Sequence, residues 1–495
     1  MTKIRRLLPI LIVLSIGAFF RFYRIRDYLV FLGDEGRDVL VVKRIIIDHI
    51  FTLLGPVTSV GGMYLGPIYY YFMAPFLWLF HFDPVGPAVM VALIGVATIY
   101  LVYKTGKDFF NEETGIFASL LYATSPTVII YSRSSWNPNI LPFFSLLIIY
   151  SLLNSFIKQK WNWLFMAGFA FGVSLQLHYI ALFFSVIFLT LFILKAKEIT
   201  LKRLGIFSIG LLSSFWLFIF FEIRHSFTNT LTIIQFITKP HGANFSAENF
   251  LVRFIDIVTR IFFRTVVIEN YNISQLVVIL LLCFSILYLY QSNKKKINLS
   301  SDRILIIWLL VGSVAYSLYQ GAVYDYYFTA IFALPFLIIG LILSTFFRKG
   351  VMQKIAVLVV VLVILTIHIR HSPAKIVPNR LLDQSENIAR FIFEKANNKP
   401  YNLALISTGN SDHAYRYYLE LWGNPPVTIK NQELDPTRQT VMDQLLIVCE
   451  QKVCQPLGHS LWEIAGYGPA EVEGVWDIFP VKIIRLIPTD KNEKA

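Results

Sequence analysis

The stretch FLGDEGRDVL, Phe31 to Leu40, sets two adjacent carboxylates, Asp34 and Glu35, between glycines directly after an apolar segment long enough to cross a membrane. Ionisable groups are costly near hydrocarbon, so the reason for an acidic pair here decides how the rest of the chain is read. One answer is local. Asp34 is a helix N-cap, Glu35 sits in the first turn, and Val39, Val42, Ile46 and Ile50 form an apolar stripe at helical spacing. The other answer keeps that helix, lays it on the outer leaflet, and holds its carboxylates over a cavity where one can deprotonate an acceptor hydroxyl. Arg37 and Asp38 follow at helical spacing and read as a solvated pair on the helix surface.

Composition sets the class. Of 495 residues, 56% are hydrophobic, 16% aromatic and only 15% charged, against roughly a quarter charged in soluble proteins. The chain is a polytopic membrane protein. Its net charge of +13 is spread as small Lys/Arg clusters between apolar runs, without a basic arm or an aromatic-interleaved groove, which argues against a nucleic-acid partner. The positive charge carries topology information instead.

A spanning helix takes about 20 mostly apolar residues. Candidates run near 7–23, 85–104, 115–131, 138–157, 204–222, 273–291, 303–320, 326–346 and 351–368. The run Trp161–Leu194 is too long for one span and splits near His178–Tyr179, which brings the count to about eleven. One segment, GPIYYYFMAPFLWLF (Gly66–Phe80), is short and interrupted by Pro75. Read as an interfacial helix, it leaves Lys3, Arg5, Arg6, Lys104, Lys107, Lys158, Lys160, Lys195, Lys197, Lys202, Arg203, Lys294 to Lys296, Arg348 and Lys349 all cytoplasmic, as the positive-inside bias demands; read as a span, it would put every cluster after the first outside. The N-terminus is then cytoplasmic in a multi-pass cell-membrane protein. The first apolar run continues into RFYRIRDY without a small-residue cleavage site, so it reads as a retained helix. Outside lie the first loop (about 24–84), the turn YSRSSWNPN, a long loop (about 223–272), and everything after Arg370.

Residues 1–370 therefore form a transmembrane domain and 371–495 an extracytoplasmic one of small α/β type. SENIARFIFEKA reads as an amphipathic helix beginning near Ser385, and YNLALIS, QLLIVCE and VKIIRLI read as buried strands. Cys449 and Cys454 are either a disulfide, permitted in an oxidising compartment, or two free thiols. No second Cys/His pair has the spacing of a zinc site.

A first membrane helix, then Gly-Asp-Glu opening an interfacial helix, then LGPIYYY opening a second, then YSRSSWNPN after the third span and LHY at the turn after the fifth: in order, sidedness and spacing this resembles the GT-C superfamily of membrane glycosyltransferases. More narrowly it is similar to glycosyltransferase family 39, the protein O-mannosyltransferases and the bacterial aminoarabinose transferases acting on lipid A. The resemblance covers about 1–370. It departs where bacterial relatives often begin the second interfacial helix with His-Pro-Pro; here Leu65, Gly66 and Pro67 stand, so any role of that His is absent or moved.

The resemblance implies an α-helical polytopic GT-C fold of about eleven transmembrane helices, with interfacial helices in the first outer loop, joined to the C-terminal α/β domain. It also implies transfer of a hexosyl or pentosyl group from a polyprenyl-phosphate-linked donor to an acceptor hydroxyl or similar nucleophile at the outer face, with inversion. A phosphate leaving group needs little protonation, so one carboxylate base with cationic stabilisation suffices and a second carboxylic acid is unnecessary. Asp34 matches the family's acidic position and is the expected base, with Glu35 orienting the acceptor. Arg133 and Arg224 are candidates to grip the donor phosphate through forked guanidinium geometry, with His225 beside the latter; either arginine also reads as an interfacial snorkeller. Asn137, beside Trp136, can bind sugar or simply serve the turn. His178, Tyr179, Asp325 and Tyr327 stand at outer helix ends where a cavity is expected, and a charge at the membrane edge such as Asp325 is functional by default. No obligatory metal and no other cofactor is expected, since the mannosyltransferase branch is held to be metal-independent. The partners are membrane lipid, the lipid-linked donor, and a glycan, lipid or protein acceptor that the sequence does not name. The alternative is a transporter or flippase of lipid-linked sugars, which calls for broken helices in two related halves and mid-membrane charges; no such repeat is visible.

Overall fold

The computed structural model describes residues 2–58, 62–238, 247–267, 270–276, 278–279, 299–319 and 321–489. They divide into two compact units. The first comprises Met1–Ile25, Phe51–Phe76 and Pro87–Val377; the second comprises Arg26–Ile50, Leu77–Gly86 and Pro378–Ala495.

The first unit is helical. Among the described residues, five helices are long and apolar enough to cross a membrane: Val85–Phe109, Asn137–Phe156, Leu201–Arg224, Ser301–Leu318 and Val351–Lys375. A sixth is reached if Asp325–Ile331 and Ala333–Phe347, bent by 56°, count as one span. Shorter apolar helices at Leu7–Phe22, Ile68–Leu79, Trp163–Leu177 and Tyr179–Leu194 occupy further expected segments. The expected span at 273–291 lies largely outside the described residues.

Local chemistry explains where these helices break. The run expected at 115–131 is divided into Glu112–Thr124 and Pro126–Tyr131 because Ser125, preceding proline, is extended at φ −60°, ψ 121°, the conformation a following pyrrolidine ring favours. The run Trp161–Leu194 breaks where the sequence suggested, at His178 (φ −165°, ψ 132°). Ile68–Leu79 has 12 residues, roughly 18 Å of helix, against about 30 Å of bilayer core. Helices Trp163–Leu177 and Leu201–Arg224 approach closely through glycine: a Cβ on Gly168 would collide with the Phe207 carbonyl, and one on Gly210 with that of Phe165. Small residues permit such close helix contacts in membranes.

The second unit contains a four-stranded sheet: β1 (Asn402–Ile406), β2 (Leu445–Cys449), β3 (Ala470–Ile478) and β4 (Val481–Pro488), in the order β1-β2-β4-β3. β1 and β2 are parallel; β4 runs antiparallel to β2 and β3. Ala404, Ile406, Leu445, Ile447, Ile484 and Leu486 are buried in its core. Helices Leu381–Lys395 and His413–Leu421 pack against one another. The first begins at Leu381, a turn earlier than the expected start near Ser385, because residues 381–384 are already helical with Leu382 buried. β3 escapes sequence patterning because, as an edge strand, it buries no residue fully. Cys449 and Cys454 are joined in a disulfide.

Two early segments of the chain belong to this unit with the C-terminal residues. Arg26 ties them together, its guanidinium reaching Asp83 at 2.6 Å, Asp383 at 2.9 Å and Glu386 at 3.1 Å. The Ser385 hydroxyl donates to the Phe31 carbonyl at 3.2 Å, and the Phe31 ring packs edge-on to Tyr417 and Tyr418.

Candidate functional site

The acidic stretch forms the opening of helix Gly33–Ile47. Asp34 is not its cap. Leu32, extended at φ −124°, occupies that position, and the cap N–H donates to Glu35 Oε2 at 3.1 Å. Glu35 thus performs the reciprocal half of a capping box. Burial, reinforced by the charges of Asp34 and Asp38 and opposed by hydrogen bonds from the Glu35 and Leu32 N–H groups, pushes its carboxyl up to about 7.

Asp34, the second residue of the helix, keeps a 57% exposed side chain and pairs with Arg37 Nη1 at 2.9 Å. Arg37 also donates through Nε (3.0 Å) and Nη2 (2.8 Å) to Asp38 Oδ1. Asp38 is completely buried and Arg37 half-buried, so the pair is not the solvated one expected, and the guanidinium makes the buried carboxylate tolerable. Of the apolar stripe, Val39 and Val42 are buried and Ile46 is half-buried, with Leu40 and Ile45 buried beside them; the helix lies along His413–Leu421 of its own unit, with Arg44 bound to Glu420 at 2.6 Å. The stripe therefore has a protein partner, although the sequence suggested the membrane surface. It stops short of Ile50, which is exposed beyond the helix end at Ile47.

In the first unit, three short turns converge: Asn137–Ile140, Tyr179–Leu182 and Asp325–Ile331. They bring Asn137, His178, Asp325 and Tyr327 into one neighbourhood. Asn137 is buried and its amide donates to the Leu177 carbonyl at 2.6 Å, tying the WNPN turn to the helix break. The His178 ring lies 5.0 Å from that of Tyr327 and 5.9 Å from Tyr326, and Trp136 meets Tyr326 at 4.6 Å. The His178 Nδ1 accepts from the Ile180 N–H. Such an array of ring faces and edges suits the C–H faces of a sugar. Asp325 lies between Arg264 Nε at 3.2 Å and Arg260 Nη2 at 3.4 Å.

Most of the other expected residues have partners of their own. Tyr179 is bonded through its hydroxyl to the Tyr64 carbonyl and to Asn229. Arg133 is buried, with Nη2 donating to the Tyr23 carbonyl at 2.6 Å. Arg224 ends its helix exposed, and His225 stacks on Phe221 at 4.1 Å. Asp34 and Glu35 belong to the other unit.

Sequence reading passed over Arg260 and Arg264. Their signal was available: four residues apart on one face of the strongly amphipathic stretch after Ala247. It also missed Glu222, a lone acid among aromatics that is 3% exposed and accepts the Thr230 N–H at 2.8 Å. Among the described residues, no three His, Cys, Asp or Glu side chains converge as a metal site requires.

Residues 65–222 match the family described as dolichyl-phosphate-mannose-protein mannosyltransferase. A stretch of 112 residues is 30% identical to YkcB of Bacillus subtilis, covering 23% of this chain and 16% of that protein. Among solved structures, ArnT from Cupriavidus metallidurans bound to undecaprenyl phosphate superposes with a TM-score of 0.65 at 12% identity, covering 97% of each chain. The archaeal oligosaccharyltransferase AglB from Archaeoglobus fulgidus, in complex with an inhibitory peptide and a dolichol-phosphate, gives 0.56 at 13% identity, over 90% of this chain and 69% of that one.

A helical membrane unit with ArnT-like architecture and a small C-terminal sheet defines a multi-pass membrane protein of the GT-C fold. Within that fold, residues 65–222 are similar to the dolichyl-phosphate-mannose-protein mannosyltransferase family. The flippase alternative gains no support from these relatives.

Proposed function

We propose that the protein transfers a sugar from a polyprenyl-phosphate donor to an acceptor hydroxyl at the outer face of the membrane, with inversion at the anomeric carbon. The observation that carries this reading is the state of the acidic helix. Glu35 is engaged at the cap and Asp38 is buried, while Asp34 keeps an exposed carboxylate in a chain whose fold follows ArnT over nearly its whole length.

In the reaction, an Asp34 oxygen takes the acceptor proton, the acceptor oxygen attacks the anomeric carbon, and the lipid phosphate leaves with the bonding electrons. Such base catalysis contributes typically 10²–10⁴-fold. Arg224, exposed at its helix end, is assigned to the leaving phosphate ahead of Arg133, whose guanidinium is already engaged. His178 and Tyr327, within the ring cluster, are assigned to the sugar. The chemistry needs no metal, because phosphate is a competent leaving group once its charge is met by guanidinium.

The test is transfer of radiolabelled sugar from undecaprenyl-phosphate donors in membranes containing wild type or Asp34→Asn. Transfer by wild type alone supports the reading. Equal transfer by both removes Asp34 from the base role.

A further inference from the structure

The glycines on either side of Asp34 and Glu35 are sites of close approach within the second unit. A Cβ on Gly33 would collide with Ser411, and one on Gly36 with the backbone of His413 and Ala414. The first turn of the acidic helix is therefore seated backbone against backbone on the 410–414 segment.

Hydrogen bonds fix that seat. The Gly33 N–H, one of the donors every helix start leaves without an internal partner, reaches Asn410 Oδ1 at 2.9 Å. The same oxygen accepts the Ser411 N–H at 2.9 Å. The Asn410 amide donates to Glu450 Oε1 at 2.8 Å. Glu450 also takes the Tyr415 hydroxyl at 2.9 Å and the Ser407 hydroxyl at 2.7 Å. This carboxylate directly follows β2 and lies inside the loop closed by the Cys449–Cys454 disulfide. The orientation of Asn410 is thus set by three donors and acceptors on different elements, and Asn410 in turn sets the helix start.

We infer that Asn410 and Glu450 are positioning residues for Asp34: they hold the first turn of the acidic helix and so aim its carboxylate. The inference rests on the assignment of Asp34 as base. Misplacing a reacting group by about 1 Å can cost 10²-fold in rate, and a site held by supporting hydrogen bonds avoids that loss.

The test uses the full chain in membranes, with undecaprenyl-phosphomannose and undecaprenyl-phosphate-aminoarabinose as donors, and amide hydrogen exchange as a readout independent of activity. Asn410→Ala should speed exchange at residues 33–37 roughly 10-fold while β1 and β2 stay protected. It should lower kcat about 10- to 100-fold with the donor KM nearly unchanged. The exchanged pair Asn410→Asp with Glu450→Gln restores an acceptor for Gly33 and an amide donor opposite it, and should recover most of both losses. Should Asn410→Ala fail to accumulate, Asn410→Asp alone opposes Glu450 with a like charge and is read in the same way.

Unchanged exchange at 33–37, a KM effect without a kcat effect, or no recovery in the exchanged pair would each overturn the inference. An Asp34→Asn variant as active as wild type would instead sink the base assignment, and the positioning role with it. If neither donor is consumed by wild type, the exchange data still decide whether Asn410 holds the helix.

Discussion

Asp34 and Asp325 each stand in the opening turn of a helical segment, and each has arginine for a neighbour, yet their charges are handled differently. Asp325 lies between two guanidiniums, Arg260 and Arg264. Asp34 has Arg37, which divides itself between Asp34 and the buried Asp38. The first arrangement locks a loop and leaves the carboxylate little to offer a ligand. The second leaves an exposed carboxylate beside a cation whose stronger commitment is elsewhere. An acid in a membrane protein is thus informative less by its presence than by how many cations claim it.

The largest effect expected is on catalysis. Asp34→Asn should reduce transfer by about 10³-fold without changing the apparent melting temperature, whereas Asp325→Asn should keep transfer within about 10-fold of wild type. Reversal of these two values would break the comparison. Next, Arg37→Ala leaves Asp38 without its guanidinium and should cost about 2–3 kcal/mol, read as a lowered denaturation midpoint of the whole protein. Wild-type stability in that variant would mean that Asp38 is held by other groups.

Asp325→Asn should show its effect elsewhere. Loss of charge opposite Arg260 and Arg264 frees the segment that carries them by about 1 kcal/mol, and tryptic cleavage at those two arginines should rise several-fold; unchanged cleavage would argue against the lock. The smallest effect concerns Glu35. Its carboxyl stands near 7 in the fold against 4.5 unfolded, so the fold binds its proton more tightly. That contribution is fully present below about pH 4.5, is lost as pH rises through 7, and stays lost above it. Glu35→Gln should therefore be more stable than wild type at pH 8, by on the order of 1 kcal/mol after allowance for partial exposure, with the difference vanishing near pH 5. A constant difference across that range would remove Glu35 as its source.

Much of the architecture was legible because it depends on patterns with a period. Apolar runs marked the long helices, and three of four strands showed as short apolar runs. The break at His178 was readable from the excess length of the 161–194 run. What stayed hidden depends on tertiary neighbours. GDEG reveals that two glycines flank two acids, but not that Ser411 and Ala414 require the glycines. Asp38 reads as solvated until Arg37 and the packed helix face are seen around it. β3 is invisible because an exposed edge carries no buried alternation.

The division of the second unit along the chain bears on its biogenesis. Its acidic helix emerges from the ribosome early, but Asn410, in the segment that seats it, lies 377 residues after Gly33. At synthesis rates of about 5–20 residues per second, the nascent chain waits on the order of tens of seconds with Gly33 and Gly36 uncovered. A stalled or truncated polypeptide can make its apolar helices and still never seat the first turn of the acidic helix. Completion of the 410–414 segment is thereby the step that lets the acidic helix take its seat.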